Sequence, residues 1–139
     1  MWEPEGKRQV ESALGDIKPE EILFEFEEPL TFACSDSDGQ KLLANSLCDG
    51  DRFNRYLVVV TSVRILDDLK AGRIDLVGAL KQPRCWLVDF VENWAIKNLW
   101  IISFDKIPKA MIPKSGVMLL PDLQPLFRVR WSYLKRSSR

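Results

Sequence analysis

The run Tyr56-Leu57-Val58-Val59-Val60 offers no charged position on either side of an extended chain. Successive side chains of a strand point to opposite faces, so a strand made from this run has no face to give to water. It needs strands on both flanks and apolar cover above and below. Any fold for this chain has to be built around that requirement.

The preceding residues supply neighbours. In Glu21–Cys34, Ile22, Phe24 and Phe26 alternate with Leu23, Glu25 and Glu27, the period of a half-buried strand that Pro29 should break or bend. Asp38-Gly39 stands between apolar runs and predicts a hairpin with a type I′ turn, in which both central residues take positive φ. A second strand is expected over Lys41–Leu47, and the turn Cys48–Arg55 leads into the central run. The opening is thus a set of antiparallel strands.

Behind the central strand, Thr61 or Ser62 can cap a helix with Val63, Leu66 and Leu69 on its inner side, and Gly72 can stop it. Asp75 can cap a second helix over Leu76–Lys81, with Leu76, Ala79 and Leu80 inward and Pro83 at its end. The pair could be a DNA-reading helix-turn-helix. Its second member, however, starts with an acid and continues almost entirely apolar, which repels phosphate and offers nothing to base edges. The pair reads as cover for the sheet.

Two more strands are expected around Cys85–Val91 and Leu99–Phe104, followed by a proline-punctuated stretch that is a loop or a short edge strand at Val117–Leu120. Near the end, Phe127, Val129, Trp131 and Tyr133 alternate with Arg128, Arg130 and Ser132, a strand pattern with one basic face. The expected fold is α+β: a mainly antiparallel sheet of five to seven strands with a short helical pair on one face. Residues 1–20 read as a flexible N-terminal arm, 21–134 as a single domain and 135–139 as a basic tail. A chain of 139 residues fits one such domain and can bury roughly two thirds of its unfolded surface.

Charge is polarised although the net is zero: residues 1–51 carry 13 acids and four bases, and residues 52–139 carry seven acids and 16 bases. The chain has no histidine, which removes the commonest general base and the commonest metal ligand. Three cysteines without CxxC spacing argue against both a disulfide framework and a four-thiolate metal site, and favour a reducing cytoplasm. The seven glycines form no phosphate-binding loop. The start of the chain lacks the apolar stretch of a signal peptide, and no run of 18 apolar residues occurs. Residues 34–39 look like part of a calcium loop, but Cys34 and Asn45 would occupy positions that need carboxylates. Glu25, Glu27 and Glu28 could join Asp36 or Asp38 in a magnesium-binding group for phosphate chemistry, a third and weaker option, since glutamates on an outer strand face are usually solvated. No cofactor, no metal and no small-molecule substrate is expected.

The order LFEFEEPLTFAC…DG, RYLVVVTSVRILDDLKAGRIDLVGALKQP and IPKAMIPKSGVML resembles a family of small uncharacterised bacterial α+β domains, with a "YLVVPVS" strand, a short helix pair and a late "LP..GV.L" segment. The resemblance covers about Ile22–Leu120. Val60 and Thr61 stand where that form has proline and valine, and Asp75 where it has a capping serine. It implies a bacterial cytoplasmic protein and carries no site with it.

The functional expectation is a non-catalytic protein-interaction or assembly module, binding a protein partner or a second copy of itself. Self-association is expected because Trp86, Trp94, Trp100 and Trp131 exceed what one small core must hold. The alternative is a nucleic-acid-associated component of a bacterial defence or toxin-antitoxin system, with Arg128, Arg130, Lys135 and Arg136 as the contacts.

Overall fold

A computed structural model of the chain describes residues 4, 7–8, 14–26, 28–47, 54–83 and 85–119. Among them the strands are β1 (Lys7–Arg8), β2 (Glu21–Phe26), β3 (Glu28–Ser35), β4 (Lys41–Ser46), β5 (Asn54–Val60), β6 (Cys85–Phe90) and β7 (Ile96–Ile102), with helices α1 (Val63–Lys70) and α2 (Leu76–Leu80) between β5 and β6. They form one sheet in the order β1-β7-β6-β5-β4-β3-β2, with every pairing antiparallel. The expected α+β architecture is the observed one. β5 is the middle strand, and Tyr56, Leu57, Val58 and Val59 are fully buried, as a run apolar on both sides requires.

Each face of the sheet carries its own core. On one, Leu43, Leu57, Val59, Cys85 and Leu87 meet Leu66 and Leu69 of α1 and Leu76, Ala79 and Leu80 of α2. On the other, Phe32, Leu42, Ala44, Tyr56, Val58, Val88 and Phe90 lie with Leu14 and Ile17, and Trp94 packs against them. The helical pair is cover, and α2 has five residues. Ser62 caps α1 by accepting the Ile65 N–H at 3.1 Å, and Asp75 caps α2 by accepting the Gly78 N–H at 2.9 Å. Val63, expected on the inner side, is 61% exposed. The buried arc of α1 centres between Leu66 and Leu69, and a residue in the first turn projects past it.

Three other expectations change. Leu14 and Ile17, read as part of an arm, are 3% and 1% exposed, and Lys7–Arg8 pairs with β7 at Trp100 and Ile101. Two isolated apolar residues have no periodicity, so their burial left no trace in the pattern. In β2 the alternation breaks: register shifts flank Phe24, so Leu23 and Phe24 both join the helix-side core while Ile22 is 37% exposed. At the β3–β4 hairpin only Gly39 takes positive φ, +80°, where type I′ geometry needs two such residues. The carboxylate of Asp36 accepts the N–H groups of Asp38 and Gln40 at 2.9 Å each, and this holds the loop in the form that ends in a left-handed glycine.

The residues 103–119 run as loop with two single 3₁₀ turns, Phe104–Lys106 and Lys109–Met111, and no strand forms over the described part of Val117–Leu120. This segment lies over the helix-side core, where Ile107 and Leu119 are buried and Phe104, Met111 and Ile112 are half-buried.

Candidate functional site

Where α2 meets the loop, an open cavity of about 410 Å³ forms between Val77, Gly78 and Lys81 on one side and Phe104, Lys109, Ile112, Pro113, Lys114 and Ser115 on the other. Its wall is apolar and continuous with the main core through Phe104 and Ile112. Its rim is cationic. Lys81, Lys109 and Lys114 are exposed, and none makes an ion pair or side-chain hydrogen bond among the described residues.

The local sequence explains this shape. Ile-Pro-Lys occurs twice, at Ile107–Lys109 and Ile112–Lys114. Each proline fixes its own φ and disfavours helix in the residue before it, so the segment does not run on as a continuous helix. Ile107 and Pro113 turn inward and both lysines turn outward. That repeat is the sequence signal for the site, and proline spacing taken alone marks the segment only as a loop.

Asp75 fastens the two sides together. Its Oδ1 accepts the Gly78 N–H and its Oδ2 accepts the Gly116 N–H, both at 2.9 Å, and the Leu76 N–H donates to the Val117 carbonyl at 2.8 Å. Gly116 sits at φ +87°, where a side chain would be strained. The Gly116 and Gly78 N–H bonds hold the Asp75 carboxyl below its ordinary 3.8. A depressed folded-state value means the contribution to stability is present above the unfolded value and is lost as pH falls through the folded one. Asp75→Asn is therefore expected to destabilise at neutral pH, and the gap between variant and wild type should close as urea unfolding is repeated at pH values falling below the ordinary 3.8. A gap that persists in acid would show that the charge is not what fastens the loop.

Deeper in the sheet is a polar ladder that no local sequence pattern marks. Arg55, Asp89 and Asn98 stand directly opposite one another on β5, β6 and β7. Arg55 donates Nε to Asp89 Oδ1 at 2.6 Å and Nη2 to Oδ2 at 2.9 Å, and Asn98 Nδ2 adds a third bond at 3.0 Å. Arg8 Nη2 donates to Asn98 Oδ1 at 2.6 Å, and the Arg55 guanidinium lies 5.2 Å from the Trp100 ring centre. Both charges are enclosed, with side-chain exposures of 4% and 0%. A carboxylate so fully bonded has little left for a ligand, and the ladder is structural.

Arg128, Arg130, Lys135 and Arg136, and the rings of Trp131 and Tyr133, lie outside the described residues. Trp86, Trp94 and Trp100, expected partly at an interface, are half-buried against the two cores. Asp36, considered for a metal, spends Oδ1 on its own turn, and no group able to hold a metal ion exists among the described residues. The thiols of Cys34 and Cys85 are pushed up to about 12, in both cases chiefly by burial, so neither is a nucleophile at neutral pH. No helix among the described residues is long and apolar enough to cross a membrane. At the β2 edge, the register shifts and the charges of Glu21 and Glu25 oppose addition of another strand. No family model, no curated protein and no solved structure matches the chain, and the resemblance to small bacterial α+β domains has no matching family behind it.

Proposed function

We propose that this domain is a non-catalytic protein-interaction module of a bacterial cytoplasm, and that the lysine-rimmed cavity beside α2 is where the partner docks. One observation carries the reading: three exposed ammonium groups, with no ion-pair partner among the described residues, surround an apolar recess. Cations alone would serve solubility. Apolar wall and cationic rim together have the anatomy of a binding patch, an apolar centre within a polar border. The chemistry at hand supports binding over catalysis, since histidine is missing from the sequence and the two described thiols are enclosed and protonated.

The test uses the whole chain as bait in a bacterial extract, followed by titration of whichever captured protein is then purified. Lys81→Glu, Lys109→Glu and Lys114→Glu together are expected to weaken that direct binding at least about tenfold while leaving thermal unfolding unchanged. Binding to the purified partner that survives all three reversals overturns the assignment of the site.

A further inference from the structure

Resting on that reading, we infer that the occupant of the cavity is an acidic linear peptide segment of the partner, with one bulky apolar side chain seated against Phe104, Ile112 and Val77 and carboxylates on either side meeting Lys81, Lys109 and Lys114. Charge complementarity sets the sign of the occupant. Among the described residues that line the recess three are lysines and none is an acid. The two anionic flanks follow from where the cations are: Lys81 ends α2 on one side of the recess, and Lys109 and Lys114 stand on the loop opposite. A peptide crossing between them passes a cation on entry and on exit.

The apolar anchor follows from the wall. Phe104, Ile112 and Val77 are half-buried around a recess of about 410 Å³, within the range of about 300–1,000 Å³ typical of ligand pockets. Burying that surface needs an apolar group, and an unadorned anion would leave it wet. Nucleic acid fits less well. A polynucleotide asks for a charged track along successive phosphates and exposed rings on which bases stack. Here the cations close around one recess, the one ring among its described lining residues is half inside the core, and the aliphatic wall offers base edges no hydrogen-bond partner. Lysine also suits carboxylates presented by a flexible chain, because its ammonium has no fixed fork to align.

Titration calorimetry of the full chain with capped synthetic peptides tests this. A peptide of acidic residues around a central Leu-Phe pair is expected to bind, and replacing that pair by Gly-Ser should weaken it at least about tenfold. Combined reversal of Lys81, Lys109 and Lys114 should weaken it about tenfold or more, whereas Lys106→Glu, an exposed lysine outside the recess, should change it by less than about twofold. Equal affinity for the Gly-Ser peptide overturns the anchor, and equal sensitivity to Lys106→Glu overturns the site in favour of diffuse charge. Failure of the peptide where a short oligothymidylate binds through the same three lysines overturns the partner class. Self-association that vanishes in the triple reversal, with no peptide binding, replaces the partner by a second copy. If the peptide fails but a purified captured protein still depends on the three lysines, the chemistry of the occupant is wrong and the interaction site stands.

Discussion

Asp89→Ala is expected to cost about 3–5 kcal/mol, because it leaves the Arg55 guanidinium enclosed without its counter-charge. Removing a charge from water is expensive, and here the cost is offset by two short bonds from Arg55 and one from Asn98. Taking away the carboxylate deletes all three at once and retains the buried cation. Equilibrium unfolding in urea measures the effect as a fall in midpoint at constant slope. The diagnostic partner is Arg55→Met with Asp89→Leu, which removes both charges and fills the space. It should recover most of the loss, since well-packed apolar replacements of buried pairs are often neutral or stabilising. A double variant as unstable as Asp89→Ala would mean that Arg55 supports the fold through contacts other than this pair.

The same ladder shows what the sequence could and could not disclose. Tyr56–Val60 announced a central strand by itself, and Ser62, Asp75 and Gly72 announced the helix ends, because each of those signals is local. Arg55 and Asp89 are 34 positions apart and look like ordinary charges at strand ends. Their meeting depends on register, which is set by the whole antiparallel meander. Once paired they reinforce it: a slip of one residue between β5 and β6 would send Arg55 and Asp89 to opposite faces. The cavity was hidden for a related reason. Its walls come from α2 and from a loop whose course follows from proline geometry and from the grip of Asp75 on Gly116. Basic residues at the far end of the sequence drew attention because they cluster locally, whereas Lys81 joins Lys109 and Lys114 only after folding.

Trp94→Ala is expected to destabilise by about 3–5 kcal/mol, and Trp94→Gly by roughly 1 kcal/mol less, an inversion of the usual ranking. The β6–β7 connection closes with the Ala95 N–H donating to the Glu92 carbonyl, and its two central residues, Asn93 and Trp94, have φ of 60° and 62°. These are type I′ angles, the geometry expected at Asp38-Gly39 and found here instead. Asparagine tolerates them, but the second place ordinarily belongs to glycine, and a bulky residue there is strained. What holds Trp94 in place is the other face of the sheet. Its ring stands edge-on to Phe32, Tyr56 and Phe90 at centroid distances of 5.2, 5.7 and 5.1 Å, closing an aromatic cluster that Tyr56 extends by donating its hydroxyl proton to the Pro29 carbonyl. Alanine forfeits the ring contacts and keeps the strain, whereas glycine forfeits them and relieves it. Elsewhere in a folded chain, glycine is the worse replacement because its unfolded state has more freedom to lose. Urea unfolding of the two variants side by side decides the matter: a glycine variant less stable than the alanine one would show that the turn is not strained, and that the ring alone accounts for Trp94.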